Sequence, residues 1–380
     1  MNFKKELSTR QDIEDFVRGC TLFGTGGGGT PESGIESLVS ELEAGNKIGW
    51  VDINQISDDA KVVCPYLMGS IAPHTKEVKK KMESLGLTKK VRTDKEQLAY
   101  AVEKLSDFVG EKVDYIVPIE LGGANTPGPL AVASFLDGKA CVDGDYTGRA
   151  IPEIPQTTPY IFEKNMWPIA SADSWGNVGI IEQACNYHMA ERIGKHIAAS
   201  AFGLVGQAGF LLSGKDVKEI IVPNTLTECY EVGKIIRESR ENNRDPVKAA
   251  TNYLNGWLLF TGTVSEKEWD DKEGYYWGTH TITGDGKFTG DKFKIWFKNE
   301  NHISWYNDDP YVTSPDMLIV VDAKSGEPYA NPSIEIGQEV AVIGVKKRNE
   351  FDNERGIEVL GPRHFEFDIE HKSIEKIVKK

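Results

Sequence analysis

The sequence predicts an α/β N-terminal domain with a mostly parallel sheet, followed by a C-terminal domain built on a β-barrel-like antiparallel core. Three observations predict it. At 380 residues the chain has room for two domains of ordinary size. Strand-like and helix-like segments alternate up to Asp143, the pattern of a sheet covered by helices. From Trp257 onward the chain turns to short runs rich in aromatic and β-branched residues, separated by turns. The expected division is residues 1–170 and 171–380, with a helical entry at about 178–254 before the barrel-like unit.

A first helix opens at Ser8-Thr9-Arg10-Gln11-Asp12, carries Ile13, Phe16 and Val17 at helical spacing, and should end near Gly19-Cys20. A second runs from Pro31 to about Ala44. Between them lies Gly24-Thr25-Gly26-Gly27-Gly28-Gly29-Thr30-Pro31. Four consecutive glycines are entropically expensive to order, so bare backbone here points to close approach of a ligand, with Thr30 and Pro31 starting the next helix. Successive N–H groups at that helix start would suit an anion or a developing oxyanion. No Gly-Lys-Ser/Thr follows, and no clear strand precedes, so neither a Walker loop nor a dinucleotide fingerprint is present.

Strands are expected at Ile48–Ile53, at Lys61–Leu67 and at Asp114–Glu120, with helices at Thr75 to about Leu85 and Asp94 to Phe108. A small-residue helix at Leu130–Leu136 leads to a strand at Ala140–Asp143. In such sheets ligands sit beyond the carboxyl ends of the strands. Three polar loops leave there: Met68-Gly69-Ser70 with Ala72-Pro73, Glu120 to Asn125, and Asp143 to Glu153. The stretch Pro168–Ile181 reads as a hairpin or a strand entering a helix, and a long helix carries His188, Arg192 and His196 on one face. After the Gly-rich Phe202–Ser213 come helices near Leu226–Glu241 and Asp245–Leu254. The later strands include Lys292–Phe297, His302–Tyr306 and His364–Phe367.

Charged residues make up 27% and hydrophobic residues 39%, and no apolar run approaches the roughly 18 residues that cross a bilayer. The start shows no signal-peptide pattern. Five separated cysteines without a C-x-x-C pair argue against a disulfide framework or a zinc knuckle, so a cytoplasmic protein is expected. A net charge of −14 leaves nucleic-acid or membrane-surface binding without its electrostatic footprint.

Carboxylates gather in the expected loops: Glu120, Asp143, Asp145, Glu153 and, further on, Asp173. Crowded carboxylates push each other's pKa values apart, which suits general acid and base work; they also suit a divalent cation, or simply turns. Glu120, Asp143 and Asp145 are the candidate catalytic residues. Asn125 and Arg149 are the natural partners of a polar substrate. Cys20, Cys64 and His74 lie near the same loops, where a buried structural or capping role competes with nucleophilic or proton-transfer chemistry.

Taken together, Gly24-Thr-Gly-Gly-Gly-Gly-Thr-Pro31, Met68-Gly69-Ser70, Glu120-Leu-Gly-Gly-Ala-Asn125, Val142-Asp-Gly-Asp145, Gly148-Arg-Ala-Ile-Pro-Glu153 and Ser171-Ala-Asp173 resemble the S-methyl thiohydantoin desulfurase family. The resemblance implies the two-part architecture and a hydrolase of a five-membered cyclic amide, in which water replaces a thiol on a hydantoin-type ring. It equally admits a non-catalytic, metabolite-binding partner of a hydantoinase-like enzyme. The expected substrate-binding set is Gly26, Gly27, Gly28, Gly29, Thr30, Met68, Gly69, Asn125, Arg149, Glu153 and Asp173. A divalent metal and a homo-oligomer are both compatible with the sequence.

Overall fold

Helix α1 (Arg10–Phe23) runs a full turn beyond its expected stop at Gly19. Gly19 does not end the helix but lets it be crossed. A β-carbon there would stand 1.8 Å from the carbonyl oxygen of Cys229, and one on Gly233 would stand 1.8 Å from that of Asp15. The longer α1 therefore reaches Gly24 and delivers the glycine loop at its end. Asp15, buried in this crossing, accepts two hydrogen bonds from Arg237 at 3.0 Å and is also paired with Arg18 at 2.8 Å.

A computed structural model of the chain describes residues 2–69, 74–136, 138–272 and 274–378. The other helices of the first part are α2 (Pro31–Glu43), α3 (Lys76–Ser84), α4 (Asp94–Val109), α5 (Pro127–Phe135) and the short α6 (Thr158–Ile161). There follow α7 (Tyr187–Ser200), α8 (Gly214–Ile220), α9 (Thr225–Glu241) and α10 (Pro246–Tyr253). Thr93 and Glu96 form a capping box at the start of α4, the reciprocal arrangement that satisfies two otherwise orphaned backbone donors.

The first sheet has eight strands: β1 (Lys5–Glu6), β2 (Gly49–Val51), β3 (Lys61–Gly69), β4 (Tyr115–Ile116), β5 (Ala140–Val142), β7 (Ile169–Asp173), β8 (Val178–Ile181) and β9 (Leu204–Ser213). Their order is β1-β2-β5-β4-β3-β9-β7-β8. The run β2-β5-β4-β3 is parallel, as the alternation of strands and helices requires, and antiparallel strands complete the sheet on both sides. Two-residue strands β6 (Gly144–Asp145) and β10 (Val222–Pro223) pair separately.

Two local expectations change. The strand expected at Asp114–Glu120 contracts to Tyr115–Ile116, since Pro118 cannot donate to a ladder and the chain turns away to form the Glu120 loop. The Gly-rich stretch Phe202–Ser213, for which no element was expected, contains the long strand β9, paired with both β3 and β7. Its glycine at 206 allows α4 to lie against the sheet: a β-carbon there would meet the backbone carbon of Gln97 at 2.4 Å.

The second half forms a seven-stranded antiparallel sheet. Its strands are β11 (Trp257–Lys272), β12 (Tyr275–Gly284), β13 (Lys292–Lys298), β14 (Glu300–Tyr306), β15 (Asp309–Thr313), β16 (Met317–Asp322) and β17 (Glu339–Val345), in the order β15-β14-β13-β12-β11-β17-β16. The sheet curls as a half-barrel around Phe260, Phe293, Ile295, Val312, Leu318 and Val342. His364–Phe367 is not a strand: Pro362 starts a 3-10 turn through Phe365, where its fixed φ and missing N–H suit a first position. The apolar cluster around α1 and α9 continues into Met317, Ile319, Val321 and Ile343 of the second sheet, so the two halves share buried surface. No helix of the described residues is long and apolar enough to cross a membrane.

Candidate functional site

Because β3, β4 and β5 are parallel neighbours, the loops after Gly69, Ile116 and Val142 leave the sheet at one end. Ser70 and Ala72-Pro73 lie outside the described residues. Met68 is buried, paired with Val205, and Gly69 is paired with Leu204, so both are held in the ladder. The Glu120 loop and the Asp145–Ile151 loop run side by side, with Tyr146 N donating to Ile119 O at 3.3 Å and Leu121 N to Arg149 O at 3.0 Å.

The glycine loop lies directly against them. The carbonyl of Gly28 accepts from the N–H groups of Ala124 and Asn125 at 3.0 and 3.1 Å. A β-carbon on Gly28 would stand 2.4 Å from the Cα of Gly122, and its φ of +78° also favours glycine. Gly26 and Gly28 are buried, yet their N–H groups have no acceptor among the described residues. Buried backbone donors are nearly always paired, so two bare amides in one loop mark a place built to be completed by something else. Gly29 is exposed and its N–H is likewise unpaired among the described residues. Thr30 occupies the N-cap of α2, but its hydroxyl pairs with Ser33 Oγ at 2.9 Å and not with a helix N–H.

Glu120 is the centre of the arrangement. Its Oε1 accepts from Asn125 Nδ2 at 2.5 Å and its Oε2 from Ile151 N at 2.7 Å. Burial pushes its pKa up to about 7; those two hydrogen bonds and the Arg149 charge oppose the rise, while the Asp145 charge adds to it. Arg149 is fully buried and joins the two halves. Its Nη2 donates to Thr25 Oγ1 at 3.1 Å and to Asn301 O at 3.0 Å, and its Nε to Ala150 O at 3.0 Å. Burial lowers its pKa to about 10 against the nearby charges of Glu300, Glu120 and Asp316, and its Nη1 has no partner among the described residues.

The second sheet contributes groups that the sequence reading did not single out. Asn301 N donates to Thr25 O at 2.8 Å, and Asn331 N to Gly26 O at 2.7 Å. Glu300 is buried beside Gly27, where a β-carbon would stand 1.9 Å from Glu300 Oε1. Residue 27 is glycine because a carboxyl group fills the side-chain position. Gly27→Ala is therefore expected to displace the Glu300 carboxyl and lower the melting temperature by about a few degrees; an unchanged melting temperature would show that the Glu300 position is immaterial. His302 is buried against Phe365, ring centroids 4.1 Å apart, and burial followed by the Arg149 charge holds its pKa well below the usual histidine range.

The remaining acids divide by what they hold. Asp145 Oδ1 accepts from Thr147 N and Gly148 N, both at 2.7 Å, which shapes the turn that presents Arg149. Burial raises its pKa to about 6, against the nearby Thr225 hydroxyl and the hydrogen bonds from Gly148 and Thr147. Asp143 points elsewhere: it accepts from Thr227 N at 3.0 Å and Thr227 Oγ1 at 2.6 Å and pairs with Lys4 at 2.8 Å, fastening the start of α9. Asp143→Ala should cost about 1–3 kcal/mol of stability, read from the denaturant midpoint, while leaving the Glu120 region intact. Asp173 Oδ1 accepts from Trp175, Gly176 and Asn177 N–H groups and so shapes the β7–β8 turn.

Glu153 forms a second polar group at the junction of the halves, pairing with Lys298 Nζ and, at 3.1 Å, with His364 Nε2. Burial works to raise its pKa, but these two partners hold it down at about 2. Cys20 and Cys64 are buried, and burial pushes the Cys64 thiol well above its usual range, away from a thiolate. His74 Nε2 meets the carbonyl of Phe202, tying the start of α3 to the end of α7. No group of three or more His, Cys, Asp or Glu side chains placed to hold a metal occurs among the described residues.

The structure thus brings together Gly26, Gly27, Gly28, Glu120, Asn125 and Arg149, with Asp145 behind them. Asp143 and Asp173 make their hydrogen bonds elsewhere, at the start of α9 and in the β7–β8 turn. A signal for the missed group does exist in the sequence. Asn299-Glu300-Asn301-His302 places four polar residues in succession inside an aromatic strand pattern, where a half-buried strand should alternate.

A crystal structure of a protein from Chromobacterium violaceum is similar in fold, with a TM-score of 0.78 at 20% identity, over 97% of this chain and 100% of that one. No curated protein matches. Family models do match: the S-Me-THD-like N-terminal domain over residues 11–183 and the S-Me-THD-like C-terminal domain over residues 185–374. With both halves matched in order, the chain belongs to the S-Me-THD-like family.

Proposed function

We propose that the protein is a hydrolase of five-membered cyclic amides of the hydantoin type, replacing a thiol substituent on the ring by water. One observation carries this reading: a buried carboxyl, Glu120, poised near neutral pH beside a loop with two buried, unpaired amides. A general base works best with a pKa close to the operating pH, and unpaired amides in a dry site stabilise charge that develops during reaction.

In this reading Glu120 takes a proton from the attacking water. The N–H groups of Gly26 and Gly28 receive the charge that develops on the ring, and Asn125 holds the Glu120 carboxyl in place through its 2.5 Å hydrogen bond. Arg149 keeps the base ionisable at this depth. The test is thiol release from S-methyl thiohydantoins by the purified chain alone, followed with a thiol reagent and by detection of the hydantoin product. Turnover that appears only when a hydantoinase-like enzyme is added would support the partner role instead.

A further inference from the structure

We propose that Glu300, supplied by the second half of the chain, is the general acid of this site and protonates the departing sulfur. The inference rests on the function proposed above. Glu300 Oε1 occupies the space that the missing side chain of Gly27 leaves open, and its Oε2 is buried without a hydrogen-bond partner on any other described residue. It lies within electrostatic reach of Glu120, with Arg149 acting on both. Two carboxyls share one buried guanidinium, whose single positive charge balances one carboxylate, so one carboxyl is favoured as neutral acid and the other as base.

The division of roles follows from the surroundings. Glu120 accepts two hydrogen bonds from Asn125 and Ile151, which favour its ionised form. Glu300 has no such donors on other residues; the charges facing it are Glu120, Arg149 and Lys298. Burial and then the Glu120 charge raise its pKa well above the carboxylate range, while Arg149, its own backbone N–H and Lys298 oppose the rise. The proton therefore rests on Glu300.

The chemistry balances with that single proton. Water bonds to the ring carbon that carries sulfur, giving one proton to Glu120, while the C=N electron pair moves to the ring nitrogen opposite the loop amides. That pair then re-forms C=N as the C–S bond breaks. The C–S electrons leave with sulfur, which takes the proton of Glu300, and a thiol departs. The ring is left with a C–OH group that tautomerises to the amide. Transfer of the proton from Glu120 back to Glu300 restores the starting state.

Glu300→Gln should lower thiol release from an S-methyl thiohydantoin by about 10²-fold or more. With an S-(4-nitrophenyl) analogue, whose thiolate leaves unprotonated, the loss should be less than about tenfold. The same loss on both substrates, or none on either, overturns the acid role while leaving the proposed function standing. Failure of the unaltered protein to release thiol from either substrate sinks that function and the acid role with it. A readout without turnover is the infrared band of a protonated carboxyl at about pH 8, expected to vanish in Glu300→Gln and persist in Glu120→Gln. Its absence from the unaltered protein overturns the proposal even where the Gln variant does not fold.

Discussion

Glu120→Gln is expected to lower kcat/KM on a hydantoin-type substrate by about 10²–10⁴-fold, the range supplied by a positioned general base. The variant should remain folded, because glutamine preserves an acceptor for Asn125 or Ile151 and removes a charge that burial disfavours. Any activity of the unaltered protein should rise with pH through about 7, where Glu120 ionises. Stability should move the other way. The folded-state pKa is raised, so the stabilising contribution of the neutral carboxyl is complete below its ordinary value near 4.5 and is lost as pH rises through about 7. By linkage that window is worth roughly 3 kcal/mol. Denaturant titrations of both proteins at a series of pH values would show it as a falling difference between them; a constant difference would mean that Glu120 titrates as an ordinary carboxyl.

Arg149→Met should destabilise the protein by about 3–5 kcal/mol, because it leaves buried acids without their cation. The guanidinium is fully buried and ties Thr25 in the glycine loop to Asn301 in β14, so its loss also frees the loop from the second sheet. Adding Glu120→Gln should recover part of the loss above about pH 7, since the double variant no longer strands that carboxylate. Urea unfolding of the two single variants and the double variant measures the coupling directly. A destabilisation below about 1 kcal/mol for Arg149→Met, or strict additivity with Glu120→Gln, would contradict this electrostatic picture.

Much of the first half was legible because its signals are local. Alternating strand and helix patterns located β3, β5, α2 and α4, and the glycine run marked a place where another group must come close. The aromatic and β-branched runs after Trp257 announced the antiparallel sheet. What escaped depended on distance along the chain. Gly19 resembles a helix stop until α9 is seen crossing it at Cys229. The glycines of Phe202–Ser213 are explained only when α4 is seen resting on Gly206.

The site divided along the same line. Glu120, Asn125 and Arg149 stood out as polar residues in loops at strand ends. Asp143 stood out equally, although its carboxylate serves Thr227 and Lys4. Spacing alone does not tell which carboxylate faces the glycine loop, because the Thr227 that holds Asp143 lies more than eighty positions away. Glu300 was hidden for a related reason: its burial beside Gly27 exists only once β14 has docked on the glycine loop.

The glycine loop, Glu120 and the second sheet should form one binding place for a five-membered ring. The most direct measurement is a crystal structure of the protein soaked with a hydantoin. The ring is expected to lie against Gly26–Gly29, within hydrogen-bond distance of the Gly26 or Gly28 N–H and beside the Glu120 carboxyl. A hydantoin bound elsewhere, with those amides bonded to the protein itself, would contradict it.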